Sequence, residues 1–342
     1  MGSTRSGALY YRLAAGVQDI YIAGLDMATG KVTVPAAPVN PRLLGEKQSA
    51  TWSPDGLRLA YVSGGLRIRS MQTGEERGLT LSPNVTFANQ TRWGRLRWSH
   101  DGRSLLARAA DDTQHQGIYQ IDVNTGGVVP IVRQEQGAGS PSYPVWSADG
   151  KAIFYASNAS NFFAPTRSRI KEFGISEDAL GIRKRDLQSG RDTEIYRPSP
   201  LAQISHLALS PDGRWLAFVL NRVIEVAGMP ARVEEDLMVV PATGGDPRTI
   251  LEVREGVTEA SELAALEWTR DGSQLFYSWN RELWMIPVNG GPARNVDLAS
   301  TTARETSVSA HPDGQRIAFT SGEPTEELWV MENFWPAAEA GQ

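Results

Sequence analysis

Ser53-Pro54-Asp55-Gly56 follows a tryptophan in this sequence and precedes an apolar run at 59–62. The same four residues return at 210–213, and looser copies, SHDG, SADG, TRDG and HPDG, stand at 99–102, 147–150, 269–272 and 311–314. Proline presets φ for the first central position of a type I turn, aspartate hydrogen-bonds its own backbone, and glycine accepts the left-handed conformation that follows. The motif therefore predicts a three-residue hairpin loop whose aspartates are structural rather than catalytic or metal-binding.

Each copy of this turn stands within a longer unit of short apolar runs. A run that often ends in tryptophan precedes the turn and two runs follow it, after which a glycine turn, such as ATGK at 28–31 or NTGG at 124–127, leads to a fourth run. Short runs of branched and aromatic residues bounded by turns are typical of strands. Four such strands in a unit of roughly 45 residues indicate a propeller blade. The sequence thus predicts an all-β β-propeller of four-stranded antiparallel blades.

The combination of Trp-Ser-Pro-Asp-Gly, an apolar strand that ends in serine and a later ELWVM-type strand resembles the repeat of TolB-like β-propellers over almost the whole chain. The Trp-Asp and Gly-His signatures of WD-repeat propellers are absent. The resemblance implies a non-catalytic binding or interaction propeller, serving as the C-terminal sensor or scaffold part of a larger bacterial protein. Its expected partner is a protein, a peptide, a small ligand or another domain of the parent chain.

The order of the turns predicts the number of blades. A glycine turn of the second kind precedes the first SPDG, and none follows the final HPDG. The count therefore favours seven blades, five of them complete, with strands missing from the first and the last. The alternative is a ring of six, in which the N-terminal segment completes the last blade. The propeller domain is expected at 8–335, residues 1–7 as a tag or degenerate strand, and 336–342 as a C-terminal tail.

Composition excludes several classes of function. The 342-residue chain has a net charge of −5, which argues against a nucleic-acid-binding protein with a basic face. It has no cysteine, so disulfides, thiolate catalysis and cysteine–zinc sites are excluded. Its longest apolar runs are too short for membrane insertion, and MGSTRSG at the start resembles a cloning remnant. A monomer without cofactor or metal is expected, and localisation stays open between the cytoplasm and the periplasm.

The candidate site follows from the alignment of the first strands on the repeated turn. These inner strands line the channel of a propeller, and they place Arg95, Arg97, Tyr143, His206 and Glu267 at positions that face the axis. The links between strands two and three and between blades are long, so the face that carries them is expected to be the working face. One interpretation is a pocket for an anion or a peptide terminus, because arginine binds carboxylate in a bidentate manner. The favoured interpretation is a wet channel in which charges neutralise one another, for example Arg97 with Glu267.

Signals for catalysis are weak. The chain has four histidines, none at metal-ligand spacing, and no G-x-S-x-G elbow. We therefore expect no enzyme activity and no catalytic residue. The alternatives are the propeller of a prolyl-oligopeptidase-like hydrolase, or a propeller lyase or lactonase with a channel site at His206, Glu267 and Tyr143.

Overall fold

The computed structural model describes residues 2–3, 9–16, 19–40, 47–87, 95–159, 174–198, 202–224, 232–257, 263–280, 282–298, 307–321 and 324–331. This part of the chain is almost entirely β-structure, and its single helical element is a 3₁₀ turn at Glu177–Ala179. No helix among these residues has the length and apolarity needed to cross a membrane.

The strands form six four-stranded antiparallel blades around one axis. Blade 1 contains β5 (Gln48–Trp52), β6 (Arg58–Val62), β7 (Leu66–Ser70) and β8 (Glu76–Gly78). Blade 2 contains β10 (Arg97–Trp98), β11 (Ser104–Asp111), β12 (Gln116–Asp122) and β13 (Val128–Arg133), with β9 (Val85–Thr86) paired to the end of β11. Blade 3 contains β14 (Ser140–Trp146), β15 (Ala152–Asn158), β16 (Gly181–Asp186) and β17 (Asp192–Tyr196).

The second half of the ring repeats the plan. Blade 4 contains β18 (Ala202–Leu209), β19 (Trp215–Ile224), β20 (Arg232–Pro241) and β21 (Arg248–Val257). Blade 5 contains β22 (Ala264–Trp268), β23 (Gln274–Trp279), β24 (Glu282–Pro287) and β25 (Arg294–Asn295). Blade 6 is composite, because β26 (Val308–Ala310) and β27 (Arg316–Ser321) pair with β3 (Asp19–Asp26) and β4 (Lys31–Pro38) from the other end of the chain.

The prediction of seven blades is wrong, and the ring has six. The two incomplete blades of the sequence are halves of one sheet, in which β3 pairs with β27 and supplies the third strand. The segment expected as the third strand of the last blade, β28 (Pro324–Met331), pairs instead with β2 (Leu9–Gly16). A short strand β1 (Gly2–Ser3) completes this separate three-stranded sheet. The expected tail at 336–342 lies outside the described residues.

A buried ion pair links the composite blade to its neighbour. Lys47 Nζ donates to Asp19 Oδ1 over 2.8 Å, and the exposed fractions of the two side chains are 3% and 4%. Lys47 directly precedes the inner strand of blade 1, whereas Asp19 begins the third strand of blade 6. This contact joins blades 6 and 1 in addition to the packing of apolar side chains between them.

The SPDG-type turns have the predicted conformation. Their glycines, at 56, 102, 150, 213, 272 and 314, all have φ between +66° and +73°. In five of the six turns the serine or threonine hydroxyl donates to the aspartate carboxylate over 2.5–2.7 Å. The carboxylate also accepts the backbone N–H two residues later, as in Leu57 and Arg103. His311 replaces the serine in the sixth turn, where its Nδ1 accepts the N–H of Asp313. The prediction that these acids are structural is confirmed for each turn.

The tryptophans at the ends of the inner strands connect neighbouring blades. The indole N–H groups of Trp98, Trp146 and Trp268 donate to the carbonyls of Thr51, Arg97 and Ala208, each on the inner strand of the preceding blade. In each case the acceptor residue directly precedes the position of the preceding inner strand that corresponds to the tryptophan. In these three blades a large aromatic ring is buried with its N–H satisfied, whereas the indole N–H of Trp52 in blade 1 has no acceptor among the described residues.

The inner strands of four blades share a bulge that the sequence does not indicate. Ser49, Tyr143, His206 and Ala265 occupy the same place in four blades and have φ between +52° and +57°. At each of them the strand pairing shifts register, so that two residues face one on the second strand. A left-handed conformation costs a residue with a Cβ about 1–2 kcal/mol. The surrounding sheet holds this conformation, and the bulge changes the direction in which side chains leave the strand near the axis.

Candidate functional site

The two faces of the ring differ in the length of their connections. The turns between strands one and two and between strands three and four lie on one face, which we call the tight-turn face. The links between strands two and three and between blades lie on the other, the long-link face, because successive strands run in opposite directions. Much of the expected long links, including 160–173, 225–231 and 258–262, lies outside the described residues. The expectation that this face is the working face therefore stays a prediction.

The charged residues predicted to face the axis meet there. Nη1 of Arg97 in blade 2 donates to Oε2 of Glu267 in blade 5 over 2.7 Å. Blades 2 and 5 stand opposite each other in a ring of six, so this ion pair spans the axis. The side chains of Arg97 and Glu267 are 15% and 20% exposed, which leaves the pair partly accessible. The mutual neutralisation expected from the sequence is thus present for these two groups.

Arg95 crosses the axis beside this pair. Its Nη1 donates to the carbonyl of Leu266 over 2.7 Å and to that of Val308 over 3.3 Å, and it lies 3.6 Å from Oε2 of Glu267. Nε and Nη2 of Arg95 are buried and have no hydrogen-bond acceptor among the described residues. Burial, with the nearby guanidinium of Arg97, lowers the pKa of Arg95 to about 9 against the attraction of Glu267. Arg95 therefore remains a cation at neutral pH. Within the described residues it is anchored through Nη1.

Tyr143 and His206 lie at the same level along the axis as Arg95, on the long-link side of the Arg97–Glu267 pair. Their rings, on adjacent blades 3 and 4, have centroids 5.2 Å apart. Burial, followed by the charges of Arg95 and Arg97, lowers the pKa of His206 to about 3. The imidazole is therefore neutral at pH 7, and its Nδ1 has no hydrogen-bond partner in the part of the chain that the structure describes. All five candidate residues thus belong to one axial cluster, to which blades 2, 3, 4 and 5 contribute.

A pocket of about 180 Å³ opens beside this cluster on the tight-turn face. Arg97 and Glu267 form its inner wall, and its remaining lining comes from blades 2, 3 and 4. Those residues are Trp98, His100, Val145, Trp146, Ala148, Ala208, Leu209, Ser210 and Pro211. The Arg97–Glu267 pair is therefore accessible from the face opposite to the one expected from the link lengths. Arg95 precedes β10, which runs toward the tight turns, and therefore lies on the long-link side of this pair.

Two breaks in the repeat accompany the pocket. Leu209 of blade 4 stands where blades 1, 2, 3 and 5 have tryptophan, so the seam between blades 3 and 4 has no indole to fill it. A Cβ on Gly150 of blade 3 would meet nothing within 4 Å, whereas one on Gly213 of blade 4 would lie 2.6 Å from Cβ of Ala148. Sequence reasoning missed this pocket, although the replacement of tryptophan by leucine was a signal that could have indicated it.

The arrangement does not fit a metal centre. The described residues contain no group of three histidine, aspartate or glutamate side chains that could hold an ion. At the axis, His206 and Glu267 are the residues of a type that binds metal ions, and Arg95 and Arg97 lie beside both. Two guanidinium groups repel a divalent cation, and the carboxylate of Glu267 is already occupied by them.

Comparison with known proteins shows the fold. A putative TolB from Agrobacterium tumefaciens superimposes with a TM-score of 0.63 at 17% sequence identity, over 91% of this chain and 100% of that one. The chain has a TolB-like propeller fold. An oligogalacturonate lyase in complex with manganese superimposes on this TolB-like propeller with a TM-score of 0.53 at 12% identity, over 94% and 99% of the two chains.

A second oligogalacturonate lyase, from Vibrio parahaemolyticus, gives a TM-score of 0.53 at 11% identity over 93% of this chain and 98% of that one. No protein-family model and no curated protein sequence matches the chain. At these identities the likeness establishes the TolB-like propeller architecture, and the function has to be argued from the residues of the axis.

Proposed function

We propose that this TolB-like propeller is a non-catalytic binding module of a larger bacterial protein, and that it holds a protein, peptide or small ligand at its axis. The observation that carries the proposal is the convergence of Arg95, Arg97, Tyr143, His206 and Glu267 from four blades. Inner strands hold Arg97, Tyr143, His206 and Glu267, and Arg95 lies just before β10. A rigid scaffold of this kind reduces the entropy that is lost on binding.

The chemistry of the cluster favours binding over catalysis. A general acid or base needs a pKa near the working pH and a partner that positions it. The low pKa of His206 keeps its imidazole neutral, and the two charged groups that lower this pKa, Arg95 and Arg97, are cations that cannot accept a proton. The carboxylate of Glu267 accepts a hydrogen bond from Arg97 and lies near Arg95, so it is poorly placed to accept a proton from a substrate. A lyase or lactonase site at this position has no specific support.

Selection of peptides from a random displayed library on the purified full chain tests the proposal. We expect enriched peptides to bind the wild-type protein and to lose affinity at least tenfold in Arg97→Met. Arg214→Met, which removes an arginine that is 79% exposed on the tight-turn face, is the matched control and is expected to bind normally.

Catalytic turnover of a substrate by the protein would contradict the proposal. The wild-type protein and His206→Ala are assayed with oligogalacturonate, lactones and peptide esters. Turnover by the wild type that disappears in His206→Ala while the fold is retained would contradict a non-catalytic module. Enriched peptides that bind wild type and Arg97→Met equally would show that the binding surface lies away from the axis.

A further inference from the structure

We infer that the axial cluster is a receptor for a single carboxylate group, which binds to the Nε–Nη2 edge of Arg95. The inference rests on the proposed function, since it names the ligand class of that same site. Three features of the cluster indicate a carboxylate ligand: the way in which Arg95 is held, the net charge of the cluster and its uncharged neighbours.

Arg95 is held at one end of its guanidinium group. Nη1 donates to the carbonyls of Leu266 and Val308, on blades 5 and 6, so the far end of the guanidinium is fixed across the axis. The opposite edge, formed by Nε and Nη2, is left without an acceptor in the described part of the chain. Two parallel N–H groups on one edge of a guanidinium match the two oxygens of a carboxylate. A buried arginine with one end anchored and one edge unsatisfied is thus prepared for a bidentate partner.

The charge of the cluster favours a monoanion. Arg95 and Arg97 contribute two positive charges and Glu267 one negative charge, so the three ionised groups leave a surplus of one. His206 is neutral at pH 7 and does not alter this sum. One carboxylate would neutralise the surplus, whereas a phosphate group carries about 1.5–2 negative charges at this pH and would leave an excess negative charge in a buried site.

The remaining neighbours complete a small, largely uncharged receptor. Tyr143 is buried, and Nδ1 of His206, which has no hydrogen-bond partner among the described residues, offers a further polar atom next to its ring. Nε and Nη2 of Arg95 are covered by protein in this conformation. Binding therefore requires a shift of neighbouring side chains, for which Tyr143 and His206 are the candidates on that side of the axis. The Arg97–Glu267 pair separates Arg95 from the tight-turn face, so the carboxylate approaches from the long-link face.

The carboxylate can come from a peptide C-terminus or from a small dicarboxylic acid, and the test separates these sources. N-acetylglycine, its amide, glutarate and inorganic phosphate are titrated into the full chain while the thermal unfolding midpoint and the calorimetric heat are recorded. We expect saturable binding of N-acetylglycine or glutarate, no effect of the amide, and at least tenfold weaker binding of phosphate. Whichever of the two carboxylates binds more tightly identifies the source.

Variants of Arg95 test the assigned edge. Arg95→Met removes the charge, and Arg95→Lys keeps the charge but lacks the fork; both are expected to lose carboxylate binding at least tenfold. Arg214→Met is expected to bind as the wild type does. Circular dichroism and the unfolding midpoint of each variant establish that it has folded, and a variant that has not folded is replaced by Arg95→Gln.

Three results would overturn the inference. The first is that the acid and the amide affect the wild-type protein equally, which would make Arg95 a structural brace across the axis and nothing more. The second is that Arg95→Lys binds carboxylate as well as the wild type does, which would reduce the site to a diffuse positive charge. Displayed peptides that bind with equal affinity after amidation of every carboxylate would also overturn it, while leaving the proposed binding function intact.

Discussion

Arg97 and Glu267 are 170 residues apart in the sequence, and their side chains meet across the propeller axis with a separation of 2.7 Å between Nη1 and Oε2. The pair joins blades 2 and 5, which stand opposite each other in the ring, and Arg95 connects the same two blades through the carbonyl of Leu266. The Arg97–Glu267 pair also forms the wall of the pocket on the tight-turn face. A contact of this kind both braces the channel and determines the charge that a ligand encounters.

A double-mutant cycle measures the strength of this contact. We expect Arg97→Met to lower the free energy of unfolding by about 1–3 kcal/mol, because it leaves Glu267 with the more distant Arg95 as its remaining cation. Glu267→Gln should cost less, about 1 kcal/mol, since the amide still accepts a hydrogen bond. The coupling energy between the two sites is expected at about 1–2 kcal/mol and is measured by denaturant unfolding of the four proteins. Strict additivity of the two single variants would contradict a direct cross-axis interaction.

Gly213 and Gly150 allow the strain of a turn to be separated from the contact between blades. Both glycines are left-handed, with φ of +73° and +68°. A Cβ at 213 would lie 2.6 Å from Cβ of Ala148 in the preceding blade, whereas one at 150 would meet nothing within 4 Å. We expect Gly150→Ala to lower the free energy of unfolding by about 1 kcal/mol, from backbone strain alone. Gly213→Ala should lower it by about 2–4 kcal/mol, because the blades must also separate.

The double variant Gly213→Ala/Ala148→Gly is the control for this comparison, since it removes the Cβ with which the new methyl group collides. It is expected to recover most of the difference between the two single variants. Equal losses of stability in Gly150→Ala and Gly213→Ala would show that contacts between adjacent turns contribute nothing to the ring.

The turn carboxylates predict how stability depends on pH. The hydroxyl of the turn serine lowers the pKa of Asp101, Asp149 and Asp212, in the last case to about 2. A carboxyl whose pKa is lower in the folded state binds fewer protons there than in the unfolded chain. Its contribution to stability is therefore fully present above about pH 4, the ordinary value for aspartate, and is lost as the pH falls toward 2.

We expect the unfolding midpoint of the wild-type protein to fall between about pH 4 and pH 2. The triple variant Asp101→Asn/Asp149→Asn/Asp212→Asn should show a smaller fall over the same interval, with a lower midpoint at pH 7. Thermal unfolding followed by circular dichroism across this range makes the measurement. A triple variant with the same pH profile as the wild type would mean that these acids have ordinary pKa values in the folded protein.

The sequence predicted those parts of the fold that depend on local chemistry. Ser53-Pro54-Asp55-Gly56 fixes its own turn, because the serine hydroxyl, the aspartate carboxylate and the left-handed glycine are all within four residues. The number of blades was predicted wrongly, since it depends on whether β27 takes its neighbour from β3 or from the segment that follows it. That choice is made by contacts between the ends of the chain, on which the local pattern carries no information.

The candidate site was predicted only in part for the same reason. Alternation along the inner strands placed Arg97 and Glu267 at the axis, and the structure brings them together. The bulges at Tyr143 and His206 could not be predicted, because the four residues that adopt this conformation share neither size nor polarity. The unsatisfied edge of Arg95 depends on carbonyls of blades 5 and 6, which are more than 170 residues away in sequence.

Restoring the missing tryptophan at position 209 tests how the pocket on the tight-turn face arises. Trp98, Trp146 and Trp268 each donate an indole N–H to a backbone carbonyl of the preceding inner strand. The acceptor residue directly precedes the position that corresponds to the tryptophan. By the same rule, a tryptophan at 209 would donate to the carbonyl of Val145, which lines the pocket of about 180 Å³. We expect Leu209→Trp to fill much of this space and to raise the free energy of unfolding by about 1 kcal/mol, from the added apolar burial and one hydrogen bond.

The converse variant, Trp146→Leu, removes an indole whose N–H is satisfied by Arg97 and should lower the free energy of unfolding by about 2–4 kcal/mol, because it leaves a cavity and an unpaired carbonyl. Leu209→Phe is the control for added bulk without the N–H donor. If Leu209→Trp destabilises the protein while Leu209→Phe is tolerated, the seam between blades 3 and 4 is already closely packed in solution. The opening at this seam would then not be a consequence of the lost tryptophan.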